Sequence, residues 1–187
     1  LAGFDLIKIK LNAELVDERL TAIRSVLPKT ELIIDANESW APDLLQRLIP
    51  TLEAHKISLI EQPLPAGTDA ALDAITCPIP LAADESCRTA ADLPHLINRY
   101  EYVNIKLDKT GGLTAALDLA EQAKQAGFRL MVGCMIGTSR AMAPAFVIAS
   151  LADFCDLDGA SMLTQDISPR LRLEDGLAYP FDAALWG

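Results

Sequence analysis

Glu31-Leu32-Ile33-Ile34-Asp35 is a short apolar run that closes on a carboxylate. A segment with helical periodicity follows at about 42–55, with Pro42 where a first-turn proline is tolerated. Read outward, the same unit recurs on both sides. Apolar runs fall at Leu6–Leu11, Ile57–Glu61, Ile79–Ala83, Tyr102–Leu107, Arg129–Gly133 and Phe154–Asp158. Helix-periodic segments lie at about 12–27, 69–76, 90–99, 112–126 and 139–152. Any one such run is ambiguous, but their regular alternation is the pattern of βα units around a parallel sheet. The punctuation agrees. Gly127 stands where a helix C′ glycine belongs, and Thr89 with Asp92 reads as an N-terminal capping pair.

Two architectures fit that alternation: a closed (β/α) barrel of the TIM type and an open doubly wound sheet. The placement of charge chooses between them. Strand interiors are apolar, yet nearly every strand ends in an ionisable residue: Lys8 and Lys10, Asp35, Glu61, Asp84, Lys106, then Asp156 and Asp158. In a barrel these ends meet at one rim, the C-terminal face where active sites are built. The expectation is therefore a single (β/α) barrel domain over residues 1–187. The seven runs are one short of a closed barrel, and Ala2-Gly3-Phe4 echoes Ala126-Gly127-Phe128, where a helix ends and a strand begins. The first barrel strand is thus expected to precede residue 1.

Composition narrows the function. The 187 residues are 51% hydrophobic and 22% charged, the balance of a folded globular chain. A net charge of −10 argues against a nucleic-acid partner, because phosphate binding needs a basic face. No apolar run approaches the ~20 residues that span a bilayer, so a cytoplasmic protein with no membrane partner is expected. Cys77, Cys87, Cys134 and Cys155 form no C-x-x-C pair, which argues for reduced, mostly buried thiols over a zinc or redox site.

Taken singly, each charged residue has a plain alternative. An aspartate at a strand end can cap the next helix, Glu61 can be a loop residue before Gln62-Pro63, and Lys106 can snorkel from an edge. Together they suggest a chemistry. Asp35, Glu61 and Asp84 come from three successive strands and offer the hard oxygen ligands that suit Mg²⁺. A metal holding a substrate carboxylate stabilises the enediolate formed when the adjacent C–H loses its proton. Lysine can be the base if burial and nearby cations bring its pKa toward ~7–8. Lys8 and Lys10 are two apart on one strand and share a face. Lys106, four strands on, would stand across the barrel mouth, and two lysines on opposite faces can invert a stereocentre.

These residues resemble the muconate lactonising subgroup of the enolase superfamily. Ile7-Lys8-Ile9-Lys10 is similar to its K-x-K motif. Ile34-Asp35-Ala36-Asn37, Ile60-Glu61-Gln62-Pro63 and Ala83-Asp84-Glu85-Ser86 resemble its metal-ligand motifs. Asn104-Ile105-Lys106-Leu107-Asp108-Lys109 resembles the segment of the second catalytic lysine. The five ordered motifs are spaced at roughly 25 residues, the length of one βα unit in a barrel of about 200–250 residues. Lysine bases working with Mg²⁺ are the known chemistry of that superfamily.

The resemblance implies Lys10 and Lys106 as the acid/base pair, with Lys8 helping to neutralise the substrate carboxylate. It implies Asn37 and Glu85 as residues that orient the metal ligands. Asp156-Leu157-Asp158-Gly159 is similar to the D-x-D motif of dipeptide epimerases, whose aspartates hold the α-ammonium of the substrate. Two carboxylates at i and i+2 of a strand would share a face and suit an ammonium's three donors. A turn built on Asp and Gly is the plainer reading. Cys134 and Met135 would line the same pocket.

The implied activity is epimerisation of a dipeptide, L-Ala-D/L-Glu in murein peptide metabolism, with a homo-oligomer compatible. Sibling activities are o-succinylbenzoate synthase and muconate cycloisomerase, which need no ammonium-binding aspartate pair. A Schiff-base aldolase would not need three carboxylates on adjacent strands. An inactive barrel fragment is the non-catalytic reading, since the superfamily's capping domain is not among these residues.

Overall fold

The computed structural model describes residues 4–174, 176–179 and 181–186. It divides into two compact units. One holds the chain up to Ser86 with Pro94–Tyr102; the other holds Cys87–Leu93 and the chain from Val103 onward.

In the first unit, β1 (Leu6–Lys10), α1 (Val16–Val26), β2 (Glu31–Asp35), α2 (Pro42–Ala54), β3 (Ile57–Glu61) and β4 (Leu81–Ala83) follow in order. The strands pair in parallel as β1-β2-β3-β4, with Lys8 opposite Ile33 and Lys10 opposite Asp35. Leu32, Ile33 and Ile34 are all buried, as expected of a parallel strand covered on both faces. Helix α2 buries Leu45, Ile49 and Leu52, one stripe at helical spacing, and carries Pro42 at its start. The segment expected as a helix over 69–76 is instead a 3-10 turn, Asp69–Ala74. Prolines 78 and 80 follow it closely, and Pro80, with no N–H to give the ladder, also delays β4 to Leu81.

In the second unit, Thr89 and Asp92 form the expected capping box. The expected helix 90–99 is short, a 3-10 turn Ala90–Asp92 followed by α3 (Leu93–Leu96). Pro94 cannot donate a helical hydrogen bond and is tolerated only in a first turn, so the helix restarts there.

The second unit contains β5 (Tyr102–Ile105, all but its first residue), α4 (Leu107–Thr110), α5 (Leu113–Gln125), β6 (Arg129–Val132), α6 (Ser139–Met142), α7 (Ala145–Ala149) and β7 (Phe154–Cys155). Two short strands outside the expected runs, β8 (Leu173–Glu174) and β9 (Leu177–Ala178), pair antiparallel. Strand order is β5-β6-β7. Helix α5 buries Ala116, Leu119, Ala120 and Ala123. It ends at left-handed Gly127, where the Phe128 N–H bonds Ala123 and the Gly127 N–H bonds Lys124, a complete Schellman motif. Helix 139–152 is broken in two, because Pro144 lacks the N–H that would continue α6.

Two strands stop early. β5 ends at Ile105, and Lys106 becomes the N-cap of α4. β7 spans only two residues. Asp156 still donates its N–H to Val132, but Asp158 is the N-cap of a 3-10 turn, Gly159–Met162. Of the four cysteines, only Cys87 is buried, and none forms a disulfide. Among the described residues no helix is long and apolar enough to cross a membrane.

Candidate active site

In the first unit, the ends of β1, β2 and β3 deliver charge to one place. Asp35 closes β2 and Glu61 closes β3, at 1% and 0% exposure, and Asp84 follows β4 at 1%. Burying carboxylates is costly unless cations and donors compensate. β1 supplies the cations. The Lys8 ammonium lies 3.3 Å from Asp35 Oδ2 and 3.2 Å from Glu61 Oε2. The Lys10 ammonium lies 3.1 Å from the same Asp35 oxygen and 2.6 Å from Asn37 Oδ1. Both lysines thus project from one face of β1, as their spacing of two requires.

The backbone turns sharply beyond these strands. Asn37 (φ 43°), Glu38 (φ 64°) and Gln62 (φ 36°) are all left-handed, a conformation that surrounding contacts must hold. The Asn37 N–H bonds Asp35 Oδ1, and the Asn37 side-chain amide reaches Glu85 Oε1 at 3.5 Å. Burial raises the pKa of Glu85, and the neighbouring charges of Asp84 and Asp35 add to the effect. Its Oε2 is buried and makes no hydrogen bond among the described residues.

The donor chemistry fits a hard divalent cation: three buried carboxylates, an orphaned carboxylate oxygen beside them, and an ammonium bridging two of the three. Among the described residues, no group of three or more His, Cys, Asp or Glu side chains is already gathered tightly enough to hold a metal ion. Lysine ammoniums neutralise Asp35 and Glu61 in this arrangement.

The second unit holds the remaining candidates. Lys106 is 8% exposed and follows fully buried Asn104 by two residues. Both crowd Gly133: a Cβ there would lie 2.7 Å from Asn104 Oδ1 and 3.0 Å from Lys106 Cε. The loop after β5 is anchored by Lys109, whose ammonium donates to the carbonyls of Cys87 and Asn104, each at 2.9 Å. Met135 is 53% exposed, and Gly159 presses against its carbonyl and against Cys134 Sγ. The D-x-D-G segment therefore meets the Cys134–Met135 segment. The shared-face argument for Asp156 and Asp158 does not hold, because the strand ends before them.

The sequence reading gives no role to Gln62, Asp69 and Tyr100 in the first unit or to Asn104 and Lys109 in the second. Gln62 and Asn104 carried a signal: Asn104 is an amide inside apolar β5, and Gln62 is an amide directly after apolar β3.

A βα domain with carboxylates and lysines at its strand ends is the framework of the enolase kind, and the chain belongs to the family described as "Enolase C-terminal domain-like", which it matches over residues 1–183. Among curated relatives it is 49% identical over 182 residues to N-acetyl-D-glutamate racemase of Pseudoalteromonas sp, covering 97% of this chain and 58% of that protein. It is also 49% identical over 175 residues to L-Ala-D/L-Glu epimerase of Escherichia coli (strain K12), covering 94% of this chain and 54% of that one. The chain thus spans somewhat over half the length of these relatives. Among solved structures, an L-Ala-D/L-Glu epimerase superposes with a TM-score of 0.92 at 47% identity, over 96% of this chain and 56% of that chain. A dipeptide epimerase from Methylococcus capsulatus, complexed with Mg and the dipeptide L-Arg-D-Lys, gives 0.86 at 36% identity, over 93% and 52%. The fold is that of the (β/α) barrel domain of these epimerases and racemases.

Proposed function

We propose that the protein carrying this chain is a Mg²⁺-dependent isomerase that epimerises a dipeptide of the L-Ala-D/L-Glu type at its carboxyl-terminal residue. The observation that carries the reading is the β1 lysine pair, with both ammoniums within 3.1–3.3 Å of the buried Asp35 carboxylate. Lysines so placed stand next to the carboxylates that would hold the metal, where a substrate carboxylate would also bind.

Asp35, Glu61 and Asp84 would hold Mg²⁺, with Asn37 and Glu85 orienting them. When bound, the metal supplies positive charge that acidifies the C–H beside a substrate carboxylate. Lys8 shares the neutralisation of that carboxylate. Lys10 and Lys106 would be the acid/base pair, one taking the α-proton and the other returning a proton to the opposite face, so that the stereocentre inverts. Asp156 and Asp158 would bind the free α-ammonium, with Cys134 and Met135 lining the pocket beside them.

The two relatives at 49% identity point to different substrates. An N-acetylated glutamate has no ammonium, so it has no use for an aspartate pair. The D-x-D segment therefore favours the dipeptide. The test is α-proton exchange in D₂O, followed by mass, with L-Ala-L-Glu and N-acetyl-D-glutamate offered separately to the intact protein with Mg²⁺. Exchange and inversion of the dipeptide are expected. Turnover of the N-acetyl compound alone would move the reading to an N-acyl amino acid racemase. Exchange of neither would remove it.

A further inference from the structure

Behind the carboxylates of the first unit, one buried glutamine joins the ends of two strands. Gln62 follows Glu61 directly and is 0% exposed. Its Oε1 accepts the N–H groups of Asp84 at 2.9 Å and Ser86 at 3.1 Å. Its Nε2 faces three acceptors: the Leu64 carbonyl at 2.8 Å, Ser86 Oγ at 2.9 Å and the Tyr100 hydroxyl at 3.2 Å. Its backbone N–H is bonded to the Ala82 carbonyl at 2.8 Å. The residue that follows one candidate metal ligand therefore grips the backbone on both sides of another.

The direction of this network is set further away, at Asp69. An ionised carboxylate can only accept. Asp69 Oδ1 takes the hydroxyl protons of Tyr100 at 2.6 Å and Ser86 at 2.7 Å, while Oδ2 takes the Gly67 N–H at 3.1 Å. With their protons committed to Asp69, both hydroxyls offer only lone pairs to Gln62. Only the NH₂ end of the amide can face them, so Oε1 must face the N–H groups of Asp84 and Ser86. One buried charge thereby fixes which way the glutamine points.

We propose that Tyr100, Asp69 and Gln62 are positioning residues for the metal site, orienting the Asp84 carboxylate through its backbone. The inference rests on the function proposed above, which makes Asp84 a Mg²⁺ ligand. None of the three is one of the proposed metal ligands. Their effect is on how well the ligand is aimed, the kind of outer support whose loss typically weakens metal binding roughly 10–100-fold.

The experiment is calorimetric titration of the intact protein with Mg²⁺ alone, with no substrate, alongside thermal unfolding without metal. The variants are Tyr100→Phe, Ser86→Ala and Gln62→Leu. Tyr100→Phe keeps the ring packing and removes one hydroxyl, so it is the deciding variant if Gln62→Leu does not fold. Tyr100→Phe is expected to raise the Mg²⁺ Kd roughly tenfold, at the low end of that range, and Gln62→Leu to raise it further. The double variant Tyr100→Phe with Ser86→Ala should fall short of the sum of the singles, because both act on one amide. Wild-type Mg²⁺ affinity in folded Tyr100→Phe and Ser86→Ala would overturn the inference, even with a lowered Tm, since the network would then be structural only. A wild-type protein that does not bind Mg²⁺ would overturn the metal reading of the function itself. The two failures are thus distinguishable.

Discussion

Lys10 and Asp35 stand opposite each other in the parallel β1–β2 ladder, and the Lys10 ammonium reaches Asp35 Oδ2 at 3.1 Å. Their burial is very unequal: the Lys10 side chain is 70% exposed and that of Asp35 is 1%. A solvent-facing cation is thus anchored on a buried anion, which suits a group that must meet a substrate entering from solvent.

Replacing either of the two lysines proposed as proton carriers should stop inversion. Lys10→Ala and Lys106→Ala are each expected to lose roughly 10²–10⁴-fold in epimerisation. One variant should still exchange the α-proton of a single stereoisomer without inverting it. Mass analysis of deuterium uptake from both dipeptide diastereomers checks this, and near-normal turnover in both variants would remove the two-base mechanism.

Asp35→Asn keeps the side chain's size but removes the charge shared by Lys8 and Lys10. If Asp35 is the direct ligand proposed, Mg²⁺ affinity should fall by more than the roughly 10–100-fold typical of losing an outer partner. Calorimetry with Mg²⁺ measures it. In the wild type, removing the metal with EDTA should abolish proton exchange, and added Mg²⁺ should restore it. Exchange that persists under EDTA would argue for metal-free chemistry.

Gly133 leaves no room for a side chain. Alanine there would bring Cβ to 2.7 Å from Asn104 Oδ1 and 3.0 Å from Lys106 Cε. Lys106 can give way more easily than fully buried Asn104. Gly133→Ala should therefore cost about 1–3 kcal/mol of stability as overpacking. Displacing the lysine should lower kcat more severely, roughly 10²-fold for a shift near 1 Å. Parallel denaturant and kinetic measurements separate the two effects, and unchanged kcat would mean that Lys106 is not the moving part.

Asp69 predicts a pH dependence of stability. Burial by itself would raise its pKa, but hydrogen bonds from Tyr100, Ser86 and Gly67 outweigh it and hold the group below the ordinary carboxylate range. A depressed folded pKa gives stability that is present above the unfolded value of ~3.9 and is lost as pH falls through the folded one. Denaturant midpoints should therefore drop at the acid end, and Asp69→Asn should flatten that limb while lowering stability at neutral pH. An acid limb identical in wild type and variant would refute the assignment.

The alternation of apolar runs with helix-periodic segments was readable because each element's burial pattern is local. β2 shows its both-faces burial in Leu32-Ile33-Ile34, and α2 shows its stripe in Leu45, Ile49 and Leu52. The grouping of Lys8, Lys10, Asp35 and Glu61 was also readable, since strand ends and the period of two place them. The errors were local as well. Pro94 and Pro144 broke helices whose periodicity ran straight through them. β7 stopped at Cys155, so Asp156 and Asp158 share no strand face.

By itself, then, the sequence determined the order of the strands and the charges at their ends, because strand pitch and hydrophobic period depend only on near neighbours. The tertiary structure alone decided what holds those charges in place. Gln62 meets Tyr100 and Ser86, and Asp69 meets Tyr100, across separations of 38, 24 and 31 residues. The hydrophobic period of a helix or a strand does not reach across such distances. Those contacts exist because a polar atom buried by folding must find a partner, and only the folded chain settles which partners are within reach.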